Sequence, residues 1–218
     1  SVTIAKDNTA DKAMADARDS VKYKESRKGI SVFDFDDTLA QSNSNVLYTM
    51  PDGTTGSLTA GEFAIKASDL TELGAKFDFS EFNEVKEGKK GPLADVAIKR
   101  QGKFGSKDIF VLTARPQAAD VNIKKFLEGI GLNIPLANIT GLENGTAEAK
   151  AEWMVGKYAD GYNDFYFADD AFKNVEAVRN VFDVLDIKSK VQQARVKFSE
   201  KLDTDFNDMI ERNMGVKS

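Results

Sequence analysis

Three short apolar runs, at residues 30–33, 109–112 and 165–168, constrain this chain most because of what lies between them. Each run (Ile30-Ser31-Val32-Phe33, Ile109-Phe110-Val111-Leu112, Phe165-Tyr166-Phe167-Ala168) is too short and too rich in β-branched and aromatic residues for a helix. Each reads as a buried strand. The intervening stretches carry helical spacing instead. Residues 117–129 place Ala118, Val121, Phe126 and Leu127 on a helix that follows Pro116 and stops near Gly129 and Gly131. Residues 146–158 open with Thr146 as N-cap and carry Ala149, Trp153, Met154 and Val155. Residues 171–182 form a third helix with Phe172, Val175, Val178 and Phe182. Further strands are expected around Ile139 and over residues 184–187. Strand–helix alternation at this spacing predicts an α/β fold with a parallel sheet and helices on both faces.

Two segments depart from the alternation. Residues 46–59 read as a hairpin around the turn-forming Pro51-Asp52-Gly53, and Thr59-Ala60-Gly61-Glu62 looks like a capping box opening a helix toward Leu70. A second helix is expected from near Pro92, with Leu93, Val96 and Ala97. Residues 40–105 therefore form a flap and small cap inserted into a core spanning 29–188. Residues 1–28 read as an N-terminal helical extension, alanine-rich, with Val2, Ile4, Met14 and Val21 as its few apolar anchors. Residues 189–218 read as a C-terminal helical extension, with Val191, Ala194, Phe198, Leu202, Phe206 and Ile210 as its stripe.

The chain contains no cysteine and no histidine. That excludes disulfides, thiolate nucleophiles, Cys-ligated zinc, iron–sulfur clusters and every imidazole-based engine. Catalysis must run on carboxylates, hydroxyls, lysine, arginine and an oxygen-loving metal such as magnesium. The strand ends supply such groups. Asp34, Asp36 and Asp37 follow the first strand, Thr113 ends the second, and Asp169-Asp170 end the third. In an open parallel sheet, ligands bind outside the carboxyl ends of the strands. Alternation puts Asp34 and Asp36 on one side, and like charges that close need a cation between them or a held proton. Turn chemistry explains any one of these residues; it does not explain their joint placement on one sheet edge.

In these motifs the sequence resembles the haloacid dehalogenase superfamily of phosphohydrolases. The family's first motif, an apolar strand followed by DxDx[TV], is met by Asp34, Asp36 and Thr38. Its second, a strand ending in Thr or Ser, is met by Thr113, and its fourth, a strand ending in paired acids, by Asp169-Asp170. The third is a single lysine or arginine upstream of the fourth, met best by Lys150, with Lys157 close by. The resemblance covers about residues 30–187 and implies a HAD-like Rossmannoid core. It implies that Asp34 attacks phosphorus to form an aspartyl-phosphate, and that Asp36 protonates the leaving oxygen and then activates water. It also implies Mg²⁺ held by Asp34, Asp169 and the backbone carbonyl of Asp36, with Asp170 direct or through water. Thr113 would bond a phosphoryl oxygen, Lys150 would offset its charge, and Thr38 would belong to the substrate-binding loop. Glycine is common in the family where this chain has Asp37, which reads as a turn residue.

The expected activity is a Mg²⁺-dependent phosphatase acting on a phosphomonoester. A small first-position cap is similar to that of family members acting on large substrates, so a polynucleotide-end phosphatase is an alternative. Another is a HAD-fold module with little turnover inside a larger phage structural or assembly protein, since the core and tail resemble phage-encoded members. Arg115 either clamps a substrate phosphate or pairs with a neighbouring acid. Seven basic residues between 86 and 107 (Lys86, Lys89, Lys90, Lys99, Arg100, Lys103, Lys107) read as a solvated face rather than a phosphate track. Tyr48 and Phe63 of the flap read as core rather than substrate contacts. The expected partners are a phosphorylated small molecule or nucleic-acid end, with a parent polypeptide or a second copy meeting the terminal helices. No apolar run approaches the roughly 20 residues of a membrane span. The expected location is cytoplasmic, in a phage-infected host or with the virion.

Overall fold

The computed structural model describes residues 27–195. Most of the two expected terminal extensions, residues 1–26 and 196–218, lies outside the described residues. In chain order the elements are β1 (Gly29–Phe33), β2 (Ala40–Gln41), β3 (Asn45–Thr49), β4 (Thr55–Thr59), α1 (Ala60–Glu72), β5 (Lys76–Asp78), β6 (Lys89–Lys90), α2 (Ala94–Phe104), β7 (Ile109–Thr113), α3 (Asp120–Gly129), β8 (Ile139–Gly141), α4 (Ala147–Ala159), β9 (Asp164–Asp169), α5 (Phe172–Val184) and β10 (Lys188–Gln193).

Five strands pair in the order β10-β9-β1-β7-β8, all parallel. The chain is therefore α/β with a Rossmann-like sheet. Alternation along the strands sorts the core into two layers. Phe33, Ile109, Val111, Tyr166 and Ala168 face Ala97 of α2 and Ile123 and Leu127 of α3. Ile30, Val32, Phe110, Leu112, Phe165 and Phe167 face Met154 of α4 and Val178 and Phe182 of α5. A fully buried Val, Leu, Ile or Phe stabilises the fold by about 1.5–3 kcal/mol. These two layers thus hold the strand ends rigidly. β1 lies centrally, with β7 and β8 on one side and β9 and β10 on the other. The strand order reverses beside β1, which creates a crevice at the carboxyl ends of β1, β7 and β9.

The insertion is a compact unit. β3, β4 and β5 form an antiparallel sheet, and α1 begins with the expected capping box: Thr59 accepts from Glu62 N and Glu62 accepts from Thr59 N. Val46, Leu58, Phe63 and Phe82 are its buried centre. The third strand was not expected, because Phe77 is the only apolar residue in Lys76–Asp78.

Two boundaries are corrected. α2, expected within the 40–105 insertion, packs Ala97 against the five-stranded sheet and so belongs to the core layer. The strand expected over 184–187 is instead the end of α5 and its exit, and the strand itself is β10 at Lys188–Gln193. Val191 and Ala194, expected on a terminal helix, lie in or just after that strand, so the sheet continues past residue 188. The reason is physical. β10 closes the sheet edge and is exposed or half-buried throughout, so it carries one apolar residue in six and lacks a buried strand's signature.

Candidate functional site

The loop after β1 is built to aim carboxylates. Asp34 N donates to Ala168 O at 2.9 Å, which fixes the first acid beside the end of β9. The amides of Thr38, Leu39 and Ala40 then donate back to Phe35 O, curling residues 35–40 into a tight turn. Asp37 sits at φ 60° within it, as expected of a turn residue; a short polar side chain tolerates that conformation. Phe35 is fully buried and edge-on to Phe126, so it anchors the turn from the core side.

Asp34, Asp169 and Asp170 converge, each offering a carboxylate oxygen within 4.8 Å of the others. Lys150 reaches them from the first turns of α4, whose N-cap Thr146 accepts from Ala149 N. Its Nζ lies 2.9 Å from Asp34 Oδ1 and 2.6 Å from Asp169 Oδ2, with the side chain 3% exposed. The structure thereby separates the two lysines. Lys157 lies over the rings of Phe110 and Trp153, away from the carboxylates. Burial alone would lower Lys150, but Asp169 and Asp34 outweigh it and raise it above the ordinary lysine value. Burial, then Asp169, raise Asp34 to about 7. Burial, then Asp34 and Asp169, raise Asp170 well above the usual carboxylate range. Burial, then Asp36, raise Asp37 to about 6. One lysine does not balance the cluster.

A residue absent from the sequence expectations completes it. Asn174, in the first turn of α5, donates Nδ2 to both carboxylate oxygens of Asp169 at 3.3 and 3.2 Å, while its Oδ1 is buried without a partner among the described residues. Its signal was a polar residue on a helix face otherwise made of Val175, Val178 and Phe182. Three converging carboxylates, their raised proton affinity and an orphaned amide oxygen fit an oxygen-loving divalent cation. Asp36 contributes no side-chain oxygen to this group.

Two expected substrate contacts are corrected. Thr38 is fully buried and donates its hydroxyl to Asp34 Oδ2 at 3.3 Å, so it orients Asp34 instead of meeting a ligand. Arg115 is also fully buried, and all five of its side-chain donors are used. Nε and Nη2 fork onto Asp36 Oδ2 and Oδ1 at 2.9 and 2.7 Å; Nη2 also donates to Ser42 Oγ, and Nη1 to the carbonyls of Phe82 and Glu84. It pairs with a neighbouring acid and has no donor left to clamp a phosphate. Thr113 ends β7 and accepts from Arg115 N at 3.1 Å, which leaves its own hydroxyl proton free to donate.

A recess of about 430 Å³, counted with its open mouth, lies over the cluster. Asp34, Asp36, Asp37, Lys150, Asp170 and Asn174 form its polar floor; Ala60, Phe63, Phe82 and Ala114 form an apolar wall. Phe63 thus serves both roles weighed for it, packing among Phe77, Phe79 and Phe82 while bordering the recess. Tyr48 stays within the cap. The basic run does not border the recess. Lys86 pairs with Glu81, Lys90 with Asp95, and Arg100 donates to Ser31 Oγ and lies over Tyr166.

No family model and no curated protein matches the chain. Among solved structures, one described as DsGPDH of Dunaliella salina is similar at a TM-score of 0.34 and 14% identity, over 75% of this chain. The match spans 23% of that protein's chain, and a likeness so slight carries no argument about activity. No helix among the described residues is long and apolar enough to cross a membrane.

Proposed function

We propose that the chain is a phosphomonoester hydrolase of the haloacid dehalogenase type, working through an aspartyl-phosphate on Asp34. The observation that carries this reading is the convergence of Asp34, Lys150, Asp169 and Asp170 on the strand-order reversal beside β1. Asp34 faces the recess with its two oxygens oriented by Lys150 and Thr38. In the first step a carboxylate oxygen of Asp34 bonds to phosphorus, the ester P–O bond breaks, and Asp36, protonated on one oxygen released from the Arg115 fork while the other stays held, gives that proton to the departing oxygen. In the second, Asp36 takes a proton from water, the water oxygen bonds to phosphorus, and the bond to Asp34 breaks to release inorganic phosphate. Lys150 supplies a fixed positive charge beside the phosphoryl oxygens, and Thr113, buried at the end of β7 behind the recess lining, has a hydroxyl proton to donate toward them.

Asp34, Asp169 and Asp170 would hold Mg²⁺, which when bound neutralises phosphate charge and orients the ester. Asn174 would support it by fixing Asp169. Ala60, Phe63, Phe82 and Ala114, beside the polar floor, would receive the apolar part of the ester. The test is hydrolysis of an aryl phosphate by the wild type and by Asp34→Asn, each with Mg²⁺ and with EDTA. The expected result is turnover by the wild type with Mg²⁺ alone. Activity that survives Asp34→Asn excludes the proposed route.

A further inference from the structure

The chain leaves the core through residues 42–44 to build the cap and returns through 84–90. These two hinge segments are laced together. Asn43 N donates to Lys86 O at 2.8 Å, and Ser44 Oγ donates to Glu84 O at 2.7 Å while accepting from Lys86 N. On the core side of the lacing, β2 pairs antiparallel with β6. Arg115 sits beneath, its guanidinium between the faces of Phe35, from the loop carrying the acids, and Phe82, from the cap.

The pattern of bonds exceeds what a structural ion pair requires. Two donors would satisfy Asp36. The other three go to the outgoing hinge at Ser42, to the returning hinge at the Glu84 carbonyl and to the cap itself at the Phe82 carbonyl. A guanidinium is rigid and planar, so its edges cannot turn independently. Displacing either hinge while its bond to Arg115 holds therefore rotates the fork on Asp36. The cap also meets the catalytic floor elsewhere: a Cβ on Gly145, just ahead of the helix that carries Lys150, would stand 3.3 Å from the Phe63 ring. Cap position and active-site geometry are thus tied at several points, Ala114 packing on the cap cluster among them, and among the described residues the Arg115 tie is the one that reaches the Asp36 carboxylate.

We propose that Arg115 is a positioning residue that couples the cap hinges to Asp36, so that the proton donor is aimed at the leaving oxygen only while the cap is seated. The role given to Asp36 rests on the phosphatase reading; the mechanical joint does not. Coupling is reciprocal, so a change at Asp36 must be felt at the hinges.

Amide hydrogen exchange and leaving-group dependence test the two halves separately. Asp36→Asn and Arg115→Lys should each speed exchange at residues 42–44 and 82–86 by about tenfold, as expected for loss of a charged hydrogen-bonded tie, with β7 amides unchanged. Ser42→Ala cuts the outgoing leg and should speed exchange at 82–86, which keeps the test open if Arg115→Lys fails to fold. Wild-type exchange rates at both hinges in Asp36→Asn overturn the coupling. Arg115→Lys should slow hydrolysis of an alkyl phosphate by about 10²-fold, because a poor leaving group depends on the proton from Asp36. It should slow an aryl phosphate with an acidic phenol by far less. Equal losses on both substrates mean a general structural defect and overturn the positioning role. If the wild type hydrolyses neither, the phosphatase reading fails together with the role assigned to Asp36, and the exchange arms still decide the joint.

Discussion

Replacing Lys150 by alanine should uncover the charge balance on which the site depends. Its ammonium group lies 2.9 Å from Asp34 and 2.6 Å from Asp169, almost wholly buried. Without it, Asp34, Asp169 and Asp170 face one another with no cation. Removing one partner from a buried pair costs about 3–5 kcal/mol because the remaining charge is left uncompensated. Protonation offers an escape, and Asp34 already titrates near 7. In metal-free buffer the loss in unfolding free energy should therefore reach about 3–5 kcal/mol at pH 8, but less than half that at pH 5. Turnover should fall by about 10²–10³, the usual cost of losing one preorganised group that stabilises transition-state charge. Lys157→Ala is the control: over Phe110 and Trp153 it touches no carboxylate of the cluster, so stability should stay within about 0.5 kcal/mol and turnover unchanged. Urea unfolding in EDTA at both pH values, with aryl phosphate hydrolysis in Mg²⁺, measures every term. A Lys150→Ala midpoint equal to the wild type at pH 8, or turnover within about tenfold of it, would exclude Lys150 as the charge that balances the cluster.

The raised affinities of Asp34 and Asp170 for protons also set a pH dependence. Their protonation favours the metal-free fold fully below the unfolded carboxylate value of about 4, and that contribution is lost as pH rises through about 7. Because ligation requires the deprotonated forms, Mg²⁺ should raise the melting temperature more at pH 8 than at pH 5; equal shifts in differential scanning fluorimetry would count against the cluster as the metal site. Asn174→Leu removes both donors to Asp169 and the orphaned oxygen. It should weaken Mg²⁺ binding, read by isothermal titration calorimetry, by about 10–100-fold, and an unchanged affinity would show that Asp169 needs no such support.

The sheet was legible in the sequence wherever a strand is buried on both faces. β1, β7 and β9 are nearly continuous apolar runs because helices cover them above and below. β10 was placed too early and β5 escaped notice because each is largely exposed and carries a single apolar residue. Asp34, Asp169 and Asp170 were legible for a related reason: each ends a strand or follows within a residue of its end, and the strands place them. The fates of Thr38 and Arg115 were not, because burial depends on partners that local sequence does not reveal. Arg115 is 79 residues from Asp36, and no spacing rule joins them. Lys150 and Lys157 are both lysines of one helix. They are told apart by face: Lys150 shares its buried side with Ala151 and Met154.

Covalent phosphorylation of Asp34 separates the proposed route from direct attack by water. Its most direct test is peptide-resolved mass spectrometry of protein quenched in acid during turnover of an aryl phosphate with Mg²⁺. A phosphoryl group on Asp34, absent from Asp34→Asn, is the result expected. Steady hydrolysis with Asp34 unmodified, or the same adduct elsewhere in Asp34→Asn, would contradict the account.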